Sequence, residues 1–524
     1  MRKNFIAVWM LALSGLTSGV YAQQDRVSDK IIEIGRTDNQ VMKHLDILTN
    51  RIGGRCIGSN AYDNAVEWVA SEFKKWGMEV ILDETGELPV GFNRGPWFGK
   101  MLSEDGMFLH FATPSYTAGT KGVQRGHVLM EPKTRGEFER MKGALKGAWV
   151  LITGENNGWP IDYSEEGDAV RAKIIADNEK IMRKNDSIRR ENWKNRNKAP
   201  QKLIPLKDAP ALFYKEMREA GILGIIQSSP VPIRVLYDRK NLMKMSWENL
   251  PTLPDIKLEA SQYNIIAQKV KERRYFQLEF DIRNHFRMGP VKYYSVLGLI
   301  KGTKYPNEYV MLGGHLDAFD VATGGVDCGS GVTVTMEAGR LIKAAGGKPK
   351  RSILVCAWSG EEFGLLGSKH WVETNTYKLG KISNYFNRDG GPTVTVGITV
   401  PPAMYDDMVS VCAPLNKINP DFPFTVKKRT GEPYPRPTQA GGADHAYFAI
   451  NGVPTLGFST DDPKGYNFSY GEIWHTERDL YNKSIPEYQE HSAIVTAVVV
   501  YRLANLDHLL SREGLYKEDV KQKK

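Results

Sequence analysis

The apolar positions of this chain change their period several times, and each change marks an element. Ile31, Ile32, Ile34, Val41, Leu45, Ile47 and Leu48 recur at the spacing of an amphipathic helix. The glycine-rich run RIGGRCIGS at 51–59 interrupts the stripe. A second helical stripe follows, with Ala65, Val66, Val69, Phe73 and Trp76 on one face, and Gly77 is placed to end it. Residues 86–122 are rich in Gly, Pro and aromatics and predict strands and loops. Further on, GAWVLITG predicts a short buried strand, and KEMREAGILGIIQSS a helix, a glycine turn and a strand. Between them a strongly charged helix is predicted over 169–197. SQYNIIAQKV predicts a helix, while YFQLEFDIRN and YYSVLGLIKG alternate like antiparallel strands.

The stretch 309–391 stands out. Its two apolar runs, 309–312 and 353–358, are strand-like, and each ends in acidic or imidazole side chains. Beyond it come a strand at 393–400, a helix from about 403, a Gly/Pro-rich loop at 430–442, a short strand at 454–459 and a closing helix over 487–510. The pattern predicts an α/β fold: a mixed, mostly parallel sheet flanked by helices, with a smaller inserted α/β or β-rich domain. The expected divisions are a leader at 1–22, a first part of the main domain at 23–122, an insert at 123–255 carrying the charged helix, and the rest of the main domain at 256–524. Pro251 and Pro254 mark the return from the insert.

Composition adds an address. Arg2 and Lys3, an apolar run at 5–16 and Val20-Tyr21-Ala22 before Gln23 form the pattern of a secretory signal peptide. The run is too short, and too broken by Ser14 and Gly15, for a membrane span. We therefore expect cleavage near Ala22 and a secreted or periplasmic protein with no integral membrane segment. Formal net charge is +9, which removal of Arg2 and Lys3 would reduce to +7. Residues 171–198 alone hold ten Lys/Arg against four Asp/Glu. The excess is local and of mixed sign, so it predicts a solvated helical arm and no nucleic-acid partner. Cys56, Cys328, Cys356 and Cys412 are scattered, form no CxxC pair and leave any disulfide undecided.

The chemistry sits where the two apolar runs stop. In α/β sheets, sites form beyond the carboxyl ends of strands. His315 and Asp317 follow the first run, Glu361 and Glu362 the second, and Asp327 opens the helical segment between them. Asp389 and His475 complete a set of groups suited to divalent metals. Singly, each has a plain structural role: Asp327 could be a helix N-cap, and Glu361 and Glu362 a dipole-favoured helix start. Together they point to metal-assisted hydrolysis. Asp317, two residues past His315, can accept the second ring N–H of that histidine. Of Glu361 and Glu362, one can bind metal while the other serves as base, because Ser359-Gly360 lets the turn leave the strand.

HLDAFD, VDCGSG, WSGEEFGLLGS, NRDGG and WHTERD resemble the successive motifs of the co-catalytic dizinc peptidase family. The likeness extends to RIGGRCIGS and to Gly442-Ala443-Asp444-His445, and is greatest to the carboxypeptidase Q branch, whose insert is a protease-associated domain. The resemblance implies two Zn2+ per chain. His315 and Asp389 would hold one ion, Glu362 and His475 the other, and Asp327 would bridge them. Glu361 would be general base and then proton donor, and Asp317 would orient His315. Cys328 departs from the family, in which an Asn, Asp or similar residue commonly follows the bridging Asp.

A peptide or dipeptide substrate is expected, and a homodimer is compatible with the family. Asp444, His445 and Arg436 are the candidate substrate contacts: an acid would hold an amine, an arginine a carboxylate. These options predict opposite specificities. The leading expectation is a zinc metallo-exopeptidase, an aminopeptidase or dipeptidase. The alternatives are a carboxypeptidase and a glutaminyl-cyclase-like acyltransferase with a single zinc.

Overall fold

The computed structural model describes residues 25–103 and 106–517. The expected leader at 1–22 lies outside the described residues. The chain divides into two compact units, one of residues up to 87, 292–474 and from 478 onward, the other of 88–291 and 475–477. The stretch 123–255 lies inside the second unit.

The first unit is built on five strands: β1 (Glu79–Leu88), β2 (Val291–Ile300), β3 (Tyr305–His315), β4 (Arg351–Trp358) and β5 (Ile382–Asn387). Their order is β1-β2-β4-β3-β5. β3 runs parallel to β4 and β5, and β2 antiparallel to β4, so the sheet is mixed. Every residue of β4 is buried, which explains its unbroken apolar run. The crossover from β3 to β4 is the helix Gly329–Ala344, buried from Gly329 to Ile342 and packed beside the closing helix Pro486–Leu503. With helices covering the sheet, β3, β4 and β5 can open a site only at their carboxyl ends.

Two local expectations change. The first amphipathic stripe is not one helix. It breaks at 38–40, where the Asn39 side chain accepts from Val41 N (3.1 Å), and resumes as Val41–Asp46. The strand expected at 454–459 forms only over Phe458–Asp461. Its earlier part is held by single bonds, Tyr385 N to Pro454 O (2.9 Å) and Leu456 N to Asn384 Oδ1 (2.8 Å), because Pro454 has no N–H for a ladder.

The second unit centres on an eight-stranded sheet in which 124–130, 148–155, 224–229 and 255–259 run parallel. Its charged helix is Glu165–Lys194, capped by Ser164, whose hydroxyl accepts from Gly167 N (3.0 Å). Ile175 is the last residue of this helix in the unit's apolar core. Beyond it, asparagines seven residues apart hold an extended segment running back along the helix. Asn178 pairs with Lys207, Asn185 with Ile204 and Asn192 with Gln201. Each amide donates to the carbonyl of its partner and accepts from its N–H, at 2.7–2.9 Å. The spacing works because seven helical residues rise about 10.5 Å and three extended residues about 10 Å.

Candidate metal centre

His315 ends β3 and is fully buried. Its Nδ1 lies 2.8 Å from the main-chain carbonyl of Asp317. A carbonyl only accepts, so Nδ1 carries the hydrogen and Nε2 presents its lone pair. That lone pair faces Asp327 Oδ1 at 3.2 Å and Asp389 Oδ1 at 3.6 Å. Donor atoms of His315, Asp327 and Glu362 lie within 4.8 Å of one another, and so do those of His315, Cys328 and Asp389. Three electron-rich atoms converging on buried space repel unless a cation lies among them. This donor set of one imidazole nitrogen and several carboxylate oxygens, with a thiol beside it, suits zinc.

Asp317 acts differently from expectation. Its carboxylate lies 3.7 Å from His315 Nδ1, longer than a hydrogen bond, and the imidazole is oriented by the Asp317 carbonyl instead. The carboxylate accepts from Glu361 N (3.1 Å) and Glu362 N (3.2 Å). It therefore fixes the turn that carries both glutamates, which Gly360 allows by taking φ +64°.

Burial raises the pKa of both Glu361 and Glu362. Each glutamate also feels neighbouring carboxylates: Glu362, Asp444 and Asp389 for Glu361, and Asp327, Asp317 and Asp389 for Glu362. His315 opposes the rise in both cases when it is protonated and charged. Such crowding of like charge is characteristic of catalytic and metal sites.

Asp327 and Asp389 reach the centre through tight backbone packing. A Cβ on Gly331 would lie 2.2 Å from the Arg388 carbonyl, and one on Gly314 2.7 Å from it. Only glycine at both positions lets the segment before Asp389 come this close. Cys328 Sγ donates to the same carbonyl at 3.2 Å.

Two further residues organise the loop between His315 and Asp327. Arg55 is fully buried and donates to the carbonyls of Leu316 (2.8 Å), Gly53 (2.9 Å) and Thr323 (2.8 Å). Burial pulls its pKa down to about 10, and the charges of Asp479 and Asp317 oppose that fall. Asp479 accepts from Val326 N (2.6 Å) and Asp327 N (3.2 Å), while its own carbonyl accepts from Thr323 N and Gly325 N. Burial pushes its carboxyl up to about 7. Both residues sit in motifs legible in the sequence, RIGGRCIGS and WHTERD, but nothing local assigned them this role.

His475 is a residue of the second unit. It belongs to the short segment 475–477 grouped with the second unit, where its carbonyl accepts from Val235 N (3.0 Å) and Glu477 Oε1 accepts from Ile233 N (3.1 Å). The donors brought together in the first unit are His315, Asp327, Glu362 and Asp389 with Cys328.

Beside Asp389 lies a cavity of about 690 Å3 lined by Gly390, Gly391, Thr393, Thr460, Phe468 and Tyr470, among others. His445 lines it too, whereas Asp444 is buried and does not. Arg436 is exposed, lies against Gly452 and is not part of the lining.

The sequence profile of peptidase family M28 matches residues 295–500, which hold every donor named above. Carboxypeptidase Q of Mus musculus is 28% identical over 509 aligned positions, covering 94% of this chain and 92% of that protein. The match assigns residues 295–500 to peptidase family M28, a family of zinc exopeptidases. Solved structures agree on the fold. A peptidase M28 precursor from Shewanella amazonensis superposes with a TM-score of 0.56 at 19% identity, covering 94% of this chain and 98% of that one. A zinc aminopeptidase from Bacillus subtilis gives 0.51 at 16% identity, over 91% and 97%.

Proposed function

We propose that this chain is an exported dizinc exopeptidase that removes residues from the free amino terminus of short peptides, as an aminopeptidase or dipeptidase. The observation that carries the choice of terminus is the cavity beside Asp389. Its lining offers Asp389 and no Lys or Arg. With Asp389 committed to the metal on this reading, the lining gives a free carboxylate no lysine or arginine to hold it. The small and hydroxylated lining suits an uncharged side chain of moderate size.

On this reading His315 and Asp389 would hold one zinc and Glu362 and His475 a second, with Asp327 available to both. The part of His475 rests on the WHTERD motif. Bound zinc supplies Lewis acidity, which polarises a carbonyl and lowers the pKa of water. The chain's own residues do the rest. Glu361 Oε takes the proton of the attacking water and later delivers it to the leaving amine. Asp317 holds the Glu361 N–H and so keeps that carboxylate on station. Arg55 and Asp479 fix the loop that spaces Asp327 from His315.

Similarity to carboxypeptidase Q over most of the chain favours a second reading, action at a free carboxyl end. Hydrolysis of aminoacyl reporters, dipeptides and N-blocked peptides separates the two. Cleavage confined to substrates with a free amine supports our proposal. Cleavage of N-blocked peptides with a free carboxyl end overturns it.

A further inference from the structure

The arm formed by Glu165–Lys194 and the segment running back along it takes no part in the metal centre. From Arg183 to Lys202 it carries eight Lys or Arg against Asp186 and Glu191, a net charge of +6 out of the chain's +9. The acids are engaged within the arm: Asp186 with Arg189 (2.7 Å), Glu191 with Gln201 (3.1 Å) and, nearer the base, Asp177 with Lys207 (2.6 Å). Among the described residues Arg183, Lys184, Lys194, Arg196, Lys198 and Lys202 make no ion pair. Apolar side chains stand in solvent beside these cations: Trp193 is 75% exposed and Leu203 45%. The asparagine pairing keeps this surface extended where there is no apolar core to do so.

We propose that the arm is a peripheral docking surface for a lipid bilayer bearing anionic phospholipid headgroups. Net positive charge draws it to such a surface, and a tryptophan among cations is the amphipathic group that settles at the headgroup boundary. A lone basic stripe would suit any polyanion, but exposed Trp193, Leu203 and Leu206 favour a lipid over nucleic acid. No described helix is long and apolar enough to cross a membrane, so the contact is peripheral. The peptidase fold would then work on soluble peptides while held at a membrane face.

Co-sedimentation of the full chain with vesicles tests this. With phosphatidylglycerol vesicles at low salt the protein should pellet, and salt well above 0.15 M should release it, since exposed charges are screened beyond about 8 Å there. Phosphatidylcholine vesicles should leave it in solution. The quadruple variant K184Q/K194Q/R196Q/K198Q should partition about 600-fold less, at roughly fivefold per cation. Trp193→Ala should cost a few-fold. Hydrolysis of a soluble reporter should stay at the parent level in both variants. Equal binding to both lipids, unchanged binding by the quadruple variant, tighter binding to duplex DNA than to vesicles, or burial of Trp193 by self-association would each overturn the proposal.

Discussion

Around His315, the acids Asp317, Asp327, Glu361, Glu362, Asp389, Asp444 and Asp479 are drawn into the interior of the first unit. Along the arm, from Arg183 to Lys202, cations of similar density stand in water. Both regions are rich in charge, and both are crossed by asparagine or aspartate side chains binding backbone. They differ in what holds them. The arm's charges are screened and cost little to keep together, so they need no counter-ion and form a surface. The acids at the centre repel one another at low dielectric, and bound protons or a cation among them must relieve that repulsion in the folded state. Charge of similar abundance is solvated surface in one region and a crowded interior in the other.

Removing the proton carrier should give the largest effect. Glu361→Gln is expected to lower kcat about 100- to 10,000-fold, the usual worth of a general base, with metal content unchanged by elemental analysis. Lost metal would instead make Glu361 a ligand.

The next effect concerns Arg55. Its guanidinium binds carbonyls on both flanks of the loop and has no water to fall back on. Arg55→Met should cost about 3–5 kcal/mol of stability, as expected when one member of a buried charged network is lost. Arg55→Lys should keep the fold and weaken zinc binding about 10- to 100-fold, measured by competition with a chromophoric chelator. Unaltered zinc affinity in a folded Arg55→Lys variant would mean that the loop holds itself.

A pH test follows in the metal-free protein. Burial raises the carboxyl pKa of Glu361 and Glu362, so the folded state keeps protons that the unfolded chain has released. The stability they contribute is present below the ordinary glutamate value of about 4.5 and is lost as pH rises through their raised folded values. Tm of the chelated protein should therefore fall from pH 5 to pH 8, and zinc should remove most of that slope. A flat profile without metal would contradict the crowding.

The smallest effect belongs to the arm. Asn185→Ala deletes two hydrogen bonds to Ile204 and should cost about 1–2 kcal/mol locally. Faster amide exchange at Ile204 with unchanged kcat/KM would confirm that arm and centre are independent. A loss of catalysis would mean that arm and centre are coupled.

Much of this was legible in the chain. The apolar runs of β3 and β4 reveal themselves because buried parallel strands need no polar alternation, and the ligand types at their ends show because chemistry restricts them to Asp, Glu and His. What stayed hidden is long-range. Asp317 looks like the partner of its near neighbour His315, yet its carboxylate is spent on amides 44 and 45 residues away. Arg55 lies 261 residues from the Leu316 carbonyl it holds, and no local pattern encodes such a bond. The asparagines at 178, 185 and 192 were hidden within a charge run, because a helical face that binds an extended segment through amides has no apolar stripe to reveal it.

On the proposed function, the acids around His315 are gathered for two zinc ions. Elemental analysis of the purified chain after zinc loading and removal of excess metal tests it most directly, beside His315→Ala and Asp327→Asn. Two zinc per parent chain are expected, with full activity reached only at the second, and loss of zinc in both variants. Full activity at one zinc per chain, or no bound transition metal under any loading, would contradict it.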